Sequence, residues 1–437
     1  MEEKIDLNKY IRKVKNLKTL KINGKVTQVV GLVIEGLGPG VSVGETCKIV
    51  LQNGLSSIEA EVVGFKQDKI LLMPLGEPFG IAPGNKIIAQ KKLPEITLGE
   101  SLLGRIIDGL GNPMDGKGQI EYSDKYPLYG KKPHPLKKRR IDTPIDLGIR
   151  AINGLLTCGK GQRIGIYSGS GVGKSSLLGM IARNTEAEVN IIALIGERNR
   201  EVREFIEKNL KDGLSHSVVV VATSDQSPLI RVRAAFLATT IAEYFRDVGK
   251  QVILMMDSIT RFATAQREIG LTIGEPPTTK GYPPSVFTYL PKLLERSGTG
   301  EDKGSITGIY TVLVEGDDMD DPIADSTRAI LDGHIVLSRR LANSNHYPAI
   351  DILNSNSRLC QDIIEEKHLH DLKNFVELLS IYYETEDLLN IGAYTKGSNP
   401  KIDRAVSLIG NLKEYLRQDL NQRVTLSDSK KELSAIF

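Results

Sequence analysis

The sequence predicts an α/β chain in three parts: an N-terminal β-barrel, a core built on a parallel sheet, and a C-terminal α-helical domain. Short Val/Ile runs separated by Gly- and Pro-rich turns predict the barrel. Apolar runs of strand length alternate with helical segments from about Thr143, and strand signals disappear after about Asp362. We therefore expect the barrel at 19–92, the core at 93–361 with a connector at 93–142, and the helical domain at 362–437.

The apolar patterns place the individual elements. We expect barrel strands in the runs 26–33, 47–51, 58–65 and 70–73. We expect core strands at 163–167, 189–195, 218–222, 252–256, 306–314 and 335–337, and core helices at 175–184, 201–210 and 228–248. A helical face from Ile402 to Leu416 predicts a helix in the last part, and the turn-rich stretch 104–118 reads as a linker.

The composition restricts the class of protein. The chain has 437 residues, more than a single core usually holds. Its 57 Lys and Arg face 54 Asp and Glu, aromatic residues reach 5%, and there is no Trp, which argues against a protein that coats nucleic acid. Three distant cysteines form neither a zinc cluster nor a disulfide framework, and no apolar run reaches about 18 residues. Since no signal peptide is apparent either, we expect a cytoplasmic protein.

Two basic segments leave alternatives open. The first 25 residues carry eight basic and three acidic side chains, and apolar residues at helical spacing predict a basic amphipathic helix within 1–18. This helix is either solvated or a docking segment for a partner protein or an anionic membrane. Six basic residues between 131 and 140 form either an anion-binding patch or an exposed connector.

The most informative motif is Ser-Gly-Ser-Gly-Val-Gly-Lys-Ser at 168–175, between a predicted strand and a predicted helix. This context is required of a P-loop, whose glycines let backbone N–H groups surround a phosphate at a helix N-terminus. Ser168 stands where the strict pattern has its first glycine. Lys174 is expected to contact the β- and γ-phosphates and Ser175 to ligate Mg²⁺. The predicted nucleotide-binding residues are Gly169, Ser170, Gly171, Val172, Gly173, Lys174, Ser175 and Ser176.

Two carboxylates end predicted strands. Asp257 follows the apolar run 252–256, as in a Walker B strand, and is expected to hold the Mg²⁺ shell. Glu197 follows the run 189–195. Because functional groups of open α/β sheets cluster at the carboxyl ends of the strands, Glu197 is a candidate for polarising the attacking water. A glutamate favoured only by the dipole of a helix N-terminus explains the same pattern.

Several ordered motifs resemble the hexameric ATPases related to rotary ATP synthase. They are residues 155–163, the P-loop, and residues 196–201, 257–262, 274–277, 281–285 and 331–334. Within that superfamily, residues 282–288, 315–322 and 391–400 are most similar to the flagellar type III protein-export ATPases. The resemblance implies a RecA-like nucleotide domain between a β-barrel domain and a helical domain.

The resemblance also implies roles that the residues alone do not reveal. Glu197 matches the catalytic glutamate, with Arg198 beside it, and Tyr347 matches the aromatic residue that stacks on adenine. Arg358 matches the arginine finger that a neighbouring subunit inserts, although Asn356 replaces the usual valine before it. Since one chain carries all these residues, the resemblance implies a homohexamer that hydrolyses ATP with Mg²⁺ at its subunit interfaces.

The family further implies partners and a location: a regulatory stator-like export protein bound through the N-terminal segment, export gate and stalk proteins, and export chaperone–substrate complexes. No specific nucleic acid is expected, and the location would be cytoplasmic, peripheral to the inner membrane at the flagellar base. The alternatives are an injectisome ATPase with the same chemistry, a rotary ATP synthase subunit, and an RNA-dependent hexameric helicase. The chain lacks the acidic C-terminal segment of the catalytic synthase subunit, and the noncatalytic subunit would have Gln at position 197.

Overall fold

Six short strands close into a barrel in the N-terminal part of the computed structural model, which describes residues 22–52, 54, 56–130, 135–314, 316 and 318–437. The predicted helix within 1–18 and the basic residues 131–134 lie outside the described residues. The barrel order is β1-β2-β5-β4-β3-β6. The strands are β1 Gly24–Val30, β2 Val33–Leu37, β3 Thr46–Val50, β4 Ser57–Lys66, β5 Lys69–Pro74 and β6 Lys86–Ala89.

The barrel encloses a small apolar core to which its strands contribute inward-facing residues, including Ile34, Ile49, Val62 and Leu72. The prediction of one strand over 26–33 was wrong, because two strands share that run. Gly31 has φ +56° and turns the chain between β1 and β2. An apolar run by itself does not reveal such a hairpin, since Val30 and Leu32 on either side of the turn are apolar and exposed.

A nine-stranded sheet organises the second compact unit, which begins at Glu95. Its order is β19-β18-β12-β17-β15-β13-β14-β8, with β16 paired to β17. The strands of this unit are β7 Glu95–Leu98, β8 Ile106–Asp108, β9 Asp124–Pro127, β10 Pro144–Ile145, β11 Cys158–Gly159, β12 Arg163–Ser168, β13 Val189–Ile195, β14 Ser217–Ala222, β15 Gln251–Asp257, β16 Gly298–Thr299, β17 Ser305–Leu313, β18 Gly333–Leu337 and β19 Ile350–Ser357.

Helices cover both faces of this sheet and form the C-terminal end of the chain. They are α1 Arg150–Leu155, α2 Lys174–Asn184, α3 Asn199–Glu204, α4 Pro228–Asp247, α5 Ile259–Thr272, α6 Pro284–Leu294, α7 Pro322–Ile330, α8 Arg339–Asn343, α9 Cys360–Ile363, α10 Glu366–Asn390, α11 Pro400–Leu416 and α12 Leu426–Ser434. The predicted helix over 201–210 is divided, because the chain continues from α3 into a π-helical segment, Phe205–Leu210. None of the helices among the described residues has the length and apolar character needed to cross a bilayer.

The strand directions define two edges of the sheet. β8, β14, β13, β15, β17, β12 and β18 run parallel, and β19 runs antiparallel to β18. The carboxyl ends of the parallel strands therefore lie together along one side of the sheet, which we call the P-loop edge. The last residues of β19 lie along the opposite side, at the amino ends of the parallel strands, which we call the amino edge. β17 separates β12 from β15, so the strand before the P-loop and the strand that ends at Asp257 are not direct neighbours.

Three strands of the sheet were not predicted from the sequence: β8, β19 and the two-residue β16, which pairs with β17. β19 follows directly on the Tyr347-Pro348 motif, and its end residues Asn354 to Asn356 are polar, so it lacks the apolar run of a buried strand. β8 lies in the stretch interpreted as a linker, where it pairs with β14. The buried Arg105 side chain holds this stretch by donating to Asp115 at 2.7 Å from Nε.

The C-terminal helices share one apolar core with the sheet. Phe375 of α10 and Leu412 and Tyr415 of α11 belong to the same cluster as Ile164 of β12 and Ile350 of β19. A buried polar contact reinforces this packing, since the Gln418 side-chain amide donates to the carbonyl of Gly148 at 2.9 Å. The helical part is thus held against the face of the sheet that carries α2.

Candidate active site

The P-loop joins the buried end of β12 to the N-terminus of α2. Gly171 and Gly173 have φ of +79° and +95°, a left-handed conformation that favours glycine. Lys174 is the first residue of α2, and the exposed Ser175 follows it in the first turn. Ser168 ends β12 and is buried, and its main-chain carbonyl accepts from Val314 N at 3.0 Å. The loop therefore presents main-chain N–H groups at a helix N-terminus, as anion binding requires.

Lys174 links the P-loop to both strand-end carboxylates. Its Nζ donates to Asp257 Oδ1 at 2.5 Å and lies 3.6 Å from Glu197 Oε1. Burial opposes the charged ammonium, but the two carboxylates outweigh this effect and raise the pKa of Lys174. The three side chains that the sequence singled out at this edge thus form one charge cluster, in which a half-buried lysine lies between the half-buried Glu197 and the buried Asp257.

Asp257 is a buried carboxylate whose position is set by two donors. In addition to Lys174, the hydroxyl of Thr311 on β17 donates to Asp257 Oδ1 at 2.7 Å. The sequence reasoning did not single out Thr311. Thr311 is one of several hydroxyl-bearing residues in β17, so the sequence does not mark it out, and the strand order that places it beside Asp257 is not readable from the sequence.

Glu197 lies at the carboxyl end of β13, between β13 and α3. Burial, the negative charge of Asp257 and a hydrogen bond with Glu201 raise the pKa of Glu197 to about 8, against the opposing effect of Lys174. A carboxyl group with a pKa near neutrality exchanges protons readily, which is the property expected of a group that polarises water. Its neighbour Arg198 is exposed and pairs with Glu201 at 3.7 Å, so the structure does not bring Arg198 into the cluster.

Tyr347 lies on the other side of the P-loop from the charge cluster. A Cβ atom at Gly173 would meet the Tyr347 ring at 3.4 Å, so the ring stands directly beside the loop. Together with Met180 and Leu420 it lines a small pocket, and its main-chain carbonyl accepts from Gln418 N at 3.0 Å. Gln418 and Leu420 come from the C-terminal part of the chain, and no sequence signal connected them with the P-loop.

Arg358 stands apart from all of these residues. It follows β19 at the amino edge of the sheet, where its N–H donates to the Asp332 carbonyl at 3.0 Å and its guanidinium donates to the Arg328 carbonyl at 3.0 Å. The strand register pairs the end of β19 with the start of β18, far from Ser168 at the end of β12. The structure therefore separates Arg358 from the P-loop of its own chain.

The donor set suits a magnesium ion that accompanies a nucleotide. Asp257 provides a carboxylate and Ser175 a hydroxyl, both oxygen ligands of the kind that Mg²⁺ takes. Among the described residues there is no cluster of three or more His, Cys, Asp or Glu side chains that would hold a metal ion on its own. One carboxylate and one hydroxyl suit Mg²⁺, because this ion keeps several waters and takes substrate phosphates in addition to one or two protein ligands.

Comparisons with known proteins agree with this geometry. The chain is 50% identical to the flagellum-specific ATP synthase of Pseudomonas aeruginosa, over 95% of this chain and 93% of that protein. It is 52% identical to the flagellum-specific ATP synthase of Bacillus subtilis, over 94% of each. The chain belongs to the type III export ATPase family. It is an ATPase. The type 3 secretion system ATPase of Sinorhizobium fredii is a further relative, 49% identical over 92% of this chain and 90% of that protein.

Family models and a solved structure cover the parts of this export ATPase. The nucleotide-binding domain of the ATP synthase alpha/beta family matches residues 148–357, its beta-barrel domain matches 26–90, and the T3SS EscN ATPase C-terminal domain matches 364–435. The assembled ATPase EscN of the enteropathogenic E. coli type III secretion system matches with a TM-score of 0.90 and 45% identity. That match covers 94% of this chain and 99% of the EscN chain.

Proposed function

We propose that this ATPase works as a homohexameric ring that hydrolyses Mg²⁺-bound ATP to energise flagellar type III protein export. The observation that carries the proposal is the convergence of Lys174, Asp257 and Glu197 at the P-loop edge, while Arg358 stands at the opposite edge. One copy thus holds the phosphate-binding and water-activating groups, and a second copy is needed to bring an arginine to them.

Each residue has a distinct task in this mechanism. The P-loop N–H groups and Lys174 bind the β- and γ-phosphates, so the ammonium exchanges part of its contact with the carboxylates for phosphate oxygens. Mg²⁺, held through Ser175 and Asp257, supplies charge neutralisation on the phosphates when it is bound. Glu197 orients the attacking water and accepts its proton. Tyr347 offers its ring to the adenine base.

Arg358 acts in trans in this scheme. Ser168 lies five residues beyond Arg163 on β12, and a strand rises about 3.3 Å per residue, so about 17 Å separates the two edges. A groove of about 700 Å³ follows β18 and β19 between these edges, and the partly exposed Leu353 lines it. This groove is open to solvent and lined by both polar and apolar side chains, so it is accessible to a second copy of the chain.

The family resemblance supplies the biological setting of the proposal. The enzyme would be cytoplasmic and peripheral to the inner membrane at the flagellar base, where stalk, export gate and chaperone–substrate complexes are its partners. A regulatory stator-like protein would bind the basic N-terminal segment. The match to EscN in complex with its central stalk EscO, with a TM-score of 0.87, supports a stalk partner for this chain too.

An ATPase assay titrated in protein concentration tests the proposal. Because each site needs residues from two copies, the specific activity should rise cooperatively with concentration, and Glu197→Gln should abolish it at every concentration. Full activity in a dilute monomer would contradict the ring.

An injectisome ATPase is the second candidate, favoured by the similarity to EscN and to the secretion ATPase of Sinorhizobium fredii. Expression in a flagellated bacterium that lacks its own export ATPase decides between the two. Restored swimming supports the flagellar assignment, whereas no swimming from a stably expressed, ATPase-active chain supports the injectisome.

A further inference from the structure

We propose that Thr311 is a positioning residue for the metal-side carboxylate: its hydroxyl holds one oxygen of Asp257 so that the other stays directed to the Mg²⁺ shell. The inference rests on the proposed function, because it takes Asp257 as part of the Mg²⁺-nucleotide site. It concerns only residues of this chain and the way they orient one another.

The strand order places Thr311 next to Asp257. β17 lies between β12 and β15, and its register pairs Tyr310 with Met256, so Thr311 and Asp257 follow as cross-strand neighbours. On the other side Thr311 pairs with Ile166 of β12. Thr311 therefore stands between the strand that leads into the P-loop and the strand that ends in the carboxylate.

The hydrogen bonds at Asp257 are asymmetric. The Thr311 hydroxyl donates to Oδ1 at 2.7 Å, and Lys174 Nζ donates to the same atom at 2.5 Å. Neither bond engages Oδ2. When the Lys174 ammonium turns to the phosphates, the Thr311 bond still limits rotation of the carboxylate, so Oδ2 would keep its direction towards an Mg²⁺ ion held there.

The surroundings of Thr311 indicate that its hydroxyl serves this contact rather than the core. Thr311 is fully buried, and Ile309, two residues earlier on the same strand face, packs in one apolar cluster with Ile253 and Met255 of β15. A hydroxyl on such a face costs free energy unless it is hydrogen-bonded, and valine has the same shape without that cost. The nearest acceptor is the carboxylate, while the Met256 carbonyl lies farther away at 3.3 Å.

The loss of a group that orients a metal ligand typically reduces metal affinity 10- to 100-fold. We therefore expect Thr311→Val to leave ADP binding without Mg²⁺ unchanged. The Mg²⁺ concentration that gives half of the Mg²⁺-dependent gain in ADP affinity should rise about tenfold or more. Thr311→Ser keeps the hydroxyl and should restore the wild-type Mg²⁺ dependence.

The experiment is isothermal titration of the full chain with ADP over a series of Mg²⁺ concentrations. Thr239→Val is the matched control, because Thr239 is equally buried and its hydroxyl donates only within α4, to the Ala235 carbonyl at 2.8 Å. This control should behave as wild type. If Thr311→Val does not fold, Thr311→Ala removes the same hydroxyl and should give the same shift.

Two outcomes would overturn the inference. One is a wild-type Mg²⁺ dependence in the hydroxyl-free variant. The other is a loss of Mg²⁺-free ADP affinity as large as the shift in the Mg²⁺ concentration, which indicates general damage to the site. A different result would count against the proposed function instead. If ADP affinity of the wild-type chain did not respond to Mg²⁺ at all, the Mg²⁺-nucleotide assignment itself would be wrong.

Discussion

Mixing two inactive variants should restore ATPase activity, because the proposed site combines residues from two copies. Arg358→Ala removes the arginine but leaves the P-loop edge intact, and Glu197→Gln does the reverse. Arg358 lies about 17 Å from the P-loop edge of its own chain by the strand register, so it cannot serve that site in cis. Each variant alone should lose about 10³-fold or more in turnover.

The expected recovery follows from the assembly geometry. In a ring of equal parts of both variants, an interface is competent only when an Arg358→Ala copy presents its intact P-loop edge to a Glu197→Gln copy with an intact arginine. With random order around the ring, about one interface in four has this arrangement. If the sites work independently, the mixture should reach about a quarter of the wild-type rate.

Steady-state phosphate release after mixing and re-equilibration is the assay. A mixture of Lys174→Ala with Glu197→Gln is the matched control, because both changes damage the same edge and no interface becomes competent. The reasoning fails if Arg358→Ala alone keeps wild-type activity, or if the complementary mixture stays as inactive as the control.

Three further perturbations test the site and the core. Because protonated Glu197 cannot accept a proton and its pKa is raised to about 8, kcat/KM should rise with pH from about 7 to 9, and a flat profile over that range would contradict the role of Glu197 as the base. Glu243→Gln leaves the buried Arg296 guanidinium with neutral acceptors, the Leu128 carbonyl and the Thr240 hydroxyl among them, but without a carboxylate to balance its charge, and urea unfolding should show a loss of about 3–5 kcal/mol. The matched control is Lys250→Ala at an exposed ion pair, which should leave the urea midpoint unchanged. Tyr347→Ala should raise KM for ATP about tenfold, because the ring face that stacks on adenine is lost. Tyr347→Phe keeps the ring and should have the wild-type KM. Equal KM values in the two variants would exclude stacking.

Several features of the fold and the site could be predicted because their causes are local in the chain. A loop that surrounds a phosphate needs left-handed glycines at fixed spacing, so Gly171 and Gly173 mark it directly. Buried parallel strands must be apolar throughout, which made β13 and β15 visible and identified Glu197 and Asp257 as the residues at or just after their ends.

Other features could not be predicted, because they depend on which distant segments become neighbours. β8 and β19 are the outermost strands of the sheet and carry too few apolar residues to stand out in the sequence, so their pairing is visible only in the folded sheet. Arg198 follows a predicted functional residue, but the start of α3 turns its side chain to solvent. The C-terminal part of the chain contributes Gln418 and Leu420 to the Tyr347 pocket. These residues lie about 70 positions after Tyr347 in the sequence, and only tertiary packing brings them to it.

The sequence by itself determined the chemistry of the P-loop edge, since the glycines, the lysine and the two strand-end carboxylates each leave a local pattern. Only the tertiary structure decided how these groups act together. The strand order places Thr311 beside Asp257. Because β19 is antiparallel to its neighbour, Arg358 at its end lies at the amino edge, opposite the P-loop edge. The physical reason is that strand pairing is a long-range choice made by the whole core, whereas a phosphate-binding turn is determined by the conformations of a few consecutive residues.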